Sequence, residues 1–140
     1  MSASLVLDAS AAVRMVVDPA APSLAGTVKE ADSVVAPWLF AAEVANAIWK
    51  YVRAGVIPAQ QAALRVSAAQ ALCHGIVPDM TTGTAGSLLH EALHEACRLN
   101  HPVYDLVYVV LARRTGATLA SCDRRLADLA SGLGVPTLDG

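Results

Sequence analysis

Charge is scarce in this 140-residue chain: Asp, Glu, Lys and Arg together make up 16% of it. What there is stays nearly balanced, twelve acids against ten bases for a formal net charge of −2. No general positive field is therefore available to hold nucleic acid, and any such role needs a local explanation. Long hydrophobic runs are missing too. Asp, Arg, Lys, His or Pro interrupts every stretch before the ~18 residues that would suggest a membrane span. Met1 to Leu7 is apolar, but it carries no basic segment and meets Asp8 at once, so it reads as a strand and not as a signal peptide. Cysteine is confined to Cys73, Cys97 and Cys122, an odd number at wide spacing with no Cys-x-x-Cys. That argues against a disulfide framework and against a cysteine zinc site, and points to a cytoplasmic protein with buried thiols. Repeats, low-complexity tracts and linkers are absent as well, and the length is that of a single domain.

What is present is apolar. Hydrophobic residues reach 55% and the mean hydropathy is +0.48, which leaves a thin polar coat. Either helices bury both sides of a sheet, or some apolar surface meets a partner. The order of elements favours the first. Short β-forming runs at Ser4–Leu7, Ser33–Ala36, Gly75–Pro78, Ala117–Ser121 and Val135–Leu138 alternate with helical stretches at Ala9–Val17, Ser23–Ala31, Trp38–Arg53, Thr84–Leu99, Tyr104–Thr115 and Arg124–Ser131. Another helix starts at Pro58, a favourable first-turn residue, and forms a hairpin with the Trp38–Arg53 helix. Strands separated by helices predict an α/β fold whose parallel sheet is covered on both faces.

Two constellations could carry chemistry. His90-Glu91-Ala-Leu-His94 is a literal H-E-x-x-H on a predicted helix, where two imidazoles one turn apart could bind Zn²⁺ with Glu91 as general base. Its third ligand is hard to find: no Glu follows Glu95, His101 lies one residue beyond the extended spacing, and Cys97 stands where that motif requires Gly. The alternative reading of the helix is a solvated face bearing His and Glu. The second constellation is dispersed. Asp8 follows the first strand, Glu43 lies one turn into the helix after Pro37, Asp105 opens a helix, and Asp123 follows the fourth strand. Each could be an ordinary helix cap. Together they fall where an open parallel sheet binds ligands, at the carboxyl ends of its strands. Converging carboxylates repel one another, and a hard divalent cation such as Mg²⁺ or Mn²⁺ resolves the repulsion. Such a site suits phosphodiester hydrolysis.

The order and surroundings of these acids resemble the PIN-domain ribonucleases, most closely the VapC-type toxins of bacterial toxin–antitoxin pairs. Leu7-Asp8-Ala-Ser10 is similar to the family's Asp-x-Ser/Thr, Pro37 through Glu43 to Asn46 to its Pro-x5-Glu-x2-Asn segment, and Tyr104-Asp105 through Tyr108 to Ala112 to its Tyr-Asp-Ala-x-Tyr block. Ser121-Cys122-Asp123 through Leu126 matches its Thr/Ser-x-Asp-x-x-Leu block. Leu106 where Ala is usual and Ser121 where Thr is commoner are the departures. The resemblance implies a three-layer α/β/α PIN domain over residues 1–140, with a short central parallel sheet and a helical hairpin. It also implies a Mg²⁺- or Mn²⁺-dependent endoribonuclease leaving 5′-phosphate and 3′-hydroxyl ends. Asp8, Asp105 and Asp123 would be metal ligands, Glu43 a ligand or the group orienting the attacking water, and Ser10, Asn46 and Ser121 supporting residues. Its partners would be RNA, a small VapB-like antitoxin and a second copy of the chain.

Arg124, Arg125, Arg113 and Arg114 are candidates for holding RNA phosphates, the last two competing with a role at their helix's C-terminal dipole. Trp38, Trp49 and Tyr51 read as core or interface residues more than as base-stacking ones. A PIN-fold binding protein with little nuclease activity is the rival class. Setting the four acids aside turns the net charge of −2 into +2 for the remainder, a mildly basic scaffold around an acidic pocket.

Overall fold

In the computed structural model, which describes residues 3–18, 20, 22–78 and 87–139, the short apolar runs form one sheet. Its strands are β1 (Ser4–Leu7), β2 (Ser33–Pro37), β3 (Gly75–Val77), β4 (Thr118–Ser121) and β5 (Thr137–Asp139), all parallel, in the order β3-β2-β1-β4-β5. Leu5 stands opposite Val34 on one side and Thr118 on the other. Consecutive strand residues point to opposite faces. Leu5, Val6 and Leu7 are nevertheless all buried, as are Leu119 and Ala120, so both faces of the sheet are covered. The high apolar content follows from this double coverage.

The covering helices are α1 (Ala9–Val17), α2 (Ala25–Glu30), α3 (Phe40–Arg53), α4 (Ala62–Gln70), α5 (Leu88–Leu99), α6 (Val103–Thr115) and α7 (Arg124–Gly132). Helices α1, α3 and α4 pack on one another, while α6 lies against β1, β2 and β4 with α5 and α7 beside it. The chain runs from β1 to β2 and β3 in one direction and returns to the far side of β1 for β4 and β5. Right-handed crossovers then place the first helix group on one face and the second on the other. Helix α6 is apolar around its girth, and every residue from Leu106 to Ala112 is buried. A helix of that kind belongs inside a protein, and here the sheet and α5 enclose it. Gly116, at φ +68°, stops it in the left-handed conformation that favours glycine.

Strand β1 and helix α1 occupy the residues the sequence pattern marks. The hairpin is present as α3 and α4, with two corrections. Helix α3 begins at Phe40 and not at Trp38, because residues 38 and 39 form a turn. Pro58 precedes a 3₁₀ turn, Ala59–Gln61, so α4 proper starts at Ala62. The expected start of the next helix at Thr84 lies outside the described residues; α5 is seen from Leu88, its backbone capped by the Ser87 hydroxyl, which accepts from the His90 N–H at 3.1 Å. Among the described residues no helix is long and apolar enough to cross a membrane.

Candidate active site

Strand order reverses between β1 and β4, and the carboxyl end of a parallel sheet at such a point opens into a crevice. Asp8 and Asp123 leave those two strands. The Asp8 N–H still donates to the Ala120 carbonyl at 3.0 Å, which ties its backbone between the strands. The residue as a whole is 7% exposed, so its carboxylate is buried. There it accepts from the Ser121 hydroxyl at 2.9 Å and, on the same oxygen, from the Ser10 hydroxyl. Ser10 Oγ in turn accepts from the Cys122 N–H at 3.2 Å, and Ser121 Oγ from the Asp123 N–H at 2.9 Å. The two serines thus lock Asp8 to the β4–α7 turn. Asp123 caps α7, accepting from the N–H groups of Arg125 (2.9 Å) and Leu126 (3.3 Å).

Glu43 and Asp105 sit in the first turns of α3 and α6. The buried Tyr108 hydroxyl donates to Glu43 Oε1 at 2.6 Å, and His101 Nε2 lies 3.7 Å from Asp105 Oδ2. All four acids, with Ser10 and Asn46, line one cleft of about 450 Å³. Ser121 lies behind it, bonded to Asp8. The cleft is electrostatically strained. Burial raises the Asp8 carboxyl above the ordinary range, against the lowering effect of Ser10 and Ser121, and the charges of Asp123 and Asp105 push it the same way. Burial likewise raises Glu43, with Tyr108 opposing and Asp8 and Asp105 adding, and it raises Asp105, with His101 opposing and Asp123 adding.

Carboxylate oxygens that bury and repel one another, and whose hydrogen bonds come mainly from hydroxyls, are the donor chemistry that Mg²⁺ or Mn²⁺ prefers. Among the described residues, however, no group of three His, Cys, Asp or Glu side chains stands close enough to hold one metal ion as it lies. The acids share a cleft without forming a closed ligand set.

The H-E-x-x-H helix is employed otherwise. Glu91 pairs with Arg114 at 3.0 Å and Arg113 at 3.7 Å, so it is not free to act as a base, and His90 and His94 are on the exposed side of α5. Arg113 and Arg114 bind α6 to α5 through Glu91 and Glu95. Trp38 and Tyr51 pack against the core. Three cleft residues carry roles that the sequence pattern did not assign. Lys50 lines the cleft, and its spacing from Glu43 and Asn46 (i, i+3, i+7) puts all three on one helix face, a signal the sequence does contain. Tyr104 lines it from the start of α6. Tyr108, one turn beyond Asp105, supplies the hydrogen bond to Glu43.

Comparison with known proteins places the fold. The crystal structure of PAE2754 from Pyrobaculum aerophilum superimposes with a TM-score of 0.73 over 99% of this chain and 92% of that one, at 22% identity. A PilT N-terminus domain protein, SSO1118 from Sulfolobus solfataricus, does so with a TM-score of 0.52 over 96% and 85%, at 16% identity. No family model matches the chain. The fold, a five-stranded parallel sheet flanked by helices, is that of the PilT N-terminus, or PIN, domains. In sequence the chain is similar to Ribonuclease VapC3 of Pyrobaculum aerophilum, 29% identical over 125 residues that span 89% of this chain and 92% of that protein. It is a homologue of a VapC ribonuclease.

Proposed function

We propose that residues 1–140 form a single PIN domain that acts as a metal-dependent endoribonuclease. The observation that carries this reading is the gathering of Asp8, Glu43, Asp105 and Asp123, from four separate elements, around one cleft at the switch point of the sheet. Asp8, Asp105 and Asp123 would hold Mg²⁺ or Mn²⁺, with Glu43 as a further ligand or as the group orienting the attacking water. When bound, the cation lowers the pKa of a water and offsets charge on the phosphate oxygens. Ser10 and Ser121 keep the Asp8 carboxylate aimed by donating to one of its oxygens, which leaves the other for ligation. Tyr108 restrains Glu43, and Asn46, whose amide has no partner among the described residues, is available to substrate or water. The products would carry 5′-phosphate and 3′-hydroxyl ends. The reading extends to a cytoplasmic toxin, a homodimer, neutralised by a VapB-like antitoxin whose basic side chain enters the acidic cleft.

The test is cleavage of a single-stranded RNA in Mg²⁺ or Mn²⁺ by the wild type, Asp8→Asn and Asp123→Ala. Both variants should fold and lose cleavage, and a folded Asp8→Asn that cuts at the wild-type rate would refute the assignment. A second reading draws on the open spacing of the acids: a PIN-fold binding protein with little nuclease activity. Expression without antitoxin separates the two. Growth arrest with RNA cleavage that Asp123→Ala abolishes supports the nuclease; arrest by both proteins with RNA intact supports the binder.

A further inference from the structure

The protein has six aromatic side chains. Phe40 and Tyr108 are fully buried, and Trp38 and Tyr51 pack against the core. Trp49 is 51% exposed, but the Arg53 guanidinium covers its ring at 4.6 Å from the centroid. Among the described residues, Tyr104 alone of the six is neither packed on the core nor in a ring or hydrogen-bond contact. It is 65% exposed, its hydroxyl has no partner among the described residues, and it lines the carboxylate cleft one residue before Asp105. An amphipathic ring left bare at the mouth of a polar cleft is a surface for a flat ligand.

Lys50 presents the matching oddity in charge. It lines the same cleft as four acids, yet no carboxylate among the described residues pairs with it. It stands two turns along α3 from Glu43, about 10 Å in rise, and an unpaired ammonium lining the cleft is well placed for an anion beside the carboxylates. Arg113 and Arg114, by contrast, are already spent on α5.

We propose that Tyr104 and Lys50 form a nucleotide subsite of this cleft, the Tyr104 ring stacking on one base of a single-stranded RNA and the Lys50 ammonium holding a phosphate that flanks the scissile one. The inference rests on the ribonuclease reading and deepens it. Stacking on an aromatic ring tolerates any base, so the subsite positions the strand without reading its sequence. Its phosphate contact supplies locally the positive charge that the chain lacks overall.

The test measures binding of a labelled single-stranded RNA by fluorescence anisotropy in the Asp123→Ala background with Mg²⁺ present, and kcat and KM in the otherwise native protein. Tyr104→Ala should raise Kd and KM by about 5- to 20-fold with kcat changed far less, and Tyr104→Phe should recover most of that loss. An RNA series with a single abasic residue should contain one position at which Tyr104→Ala no longer matters. Lys50→Ala should lower the slope of log Kd against log salt by about 0.7, the value for one phosphate contact on a single strand, and Lys50→Arg should restore it. If both alanine variants bind and cut like the wild type while Asp8→Asn is inactive, the subsite falls and the ribonuclease reading stands. If the wild type neither binds nor cuts RNA, both fall. If Tyr104→Ala instead changes the oligomeric state by light scattering, the ring is a contact between protein chains and the subsite is overturned.

Discussion

Helix α6 carries Asp105 and Tyr108, and Glu95 is the residue by which α5 grips its far end. Glu95 is 4% exposed, and its carboxylate accepts from Arg98 Nε at 2.9 Å, Arg98 Nη2 at 3.1 Å and Arg113 Nη1 at 2.9 Å. The Arg98 guanidinium first, and Arg113 with it, hold the carboxyl at about 2 against an ordinary 4.5. At ~1.4 kcal/mol per pH unit that difference corresponds to ~3 kcal/mol. It is an upper bound, because Arg98 is 51% and Arg113 37% exposed and water screens both. Glu95→Gln should therefore destabilise the protein by about 1–2 kcal/mol at pH 7. A chain of this length loses about 3–4 °C of Tm per kcal/mol, so the variant should melt about 3–8 °C below the wild type. The pH dependence has a definite sign. A carboxyl that titrates lower in the folded state stabilises fully above its unfolded pKa and loses that effect as pH falls toward the folded value. The gap should be constant at pH 7 and 5, narrow below the ordinary 4.5, and close near 2. Thermal unfolding followed by circular dichroism at pH 7, 5, 4 and 3 reads it directly. A variant that melts with the wild type at pH 7, or a gap that persists undiminished at pH 3, would refute this account of the clamp.

Three further outcomes are expected. Asp8→Asn keeps the acceptor for Ser10 and Ser121 but removes a buried charge that Asp123 and Asp105 oppose, so in chelator its Tm should equal or exceed that of the wild type; a drop of several degrees would contradict the repulsion argument. Tyr108→Phe deletes the 2.6 Å hydrogen bond to Glu43, and kcat should fall about 10-fold with KM little changed, the loss of one hydrogen bond to a charged group; equal kcat would show that Glu43 needs no restraint. Gly116→Ala meets no neighbour within 4 Å, yet φ there is +68°, so denaturant unfolding should show a loss of about 1 kcal/mol from backbone strain alone, and an unchanged midpoint would count against it.

Much of the fold was legible because parallel strands buried on both faces read as short apolar runs. Leu5, Val6 and Leu7 are such a run, stopped by Asp8, and β1 and α1 appear where the pattern puts them. The cleft was legible to the extent that its acids follow strands or open helices, positions that the topology brings to one sheet edge. Glu95 was not. Sequence places it on a charged helix face, and only the fold brings Arg113 from the next helix to meet it alongside Arg98. Nor does the sequence show that Arg113 meets Glu95 and Arg114 meets Glu91, so both read as available for phosphates. Tyr104 was quoted as part of a motif, but that its ring stays largely exposed is visible only once the other five aromatic rings have been placed.

The enclosure of α6 also bears on motion. Its amides from Leu106 to Ala112 lie between the sheet and α5, so their exchange with deuterium requires opening of the whole structure, and they should be among the slowest in the protein. Tyr108 thus rides within an enclosed stretch of helix and Asp105 at its edge. An adjustment that draws the acids closer together then falls to the segments that carry Asp8, Glu43 and Asp123, with α6 as the anvil.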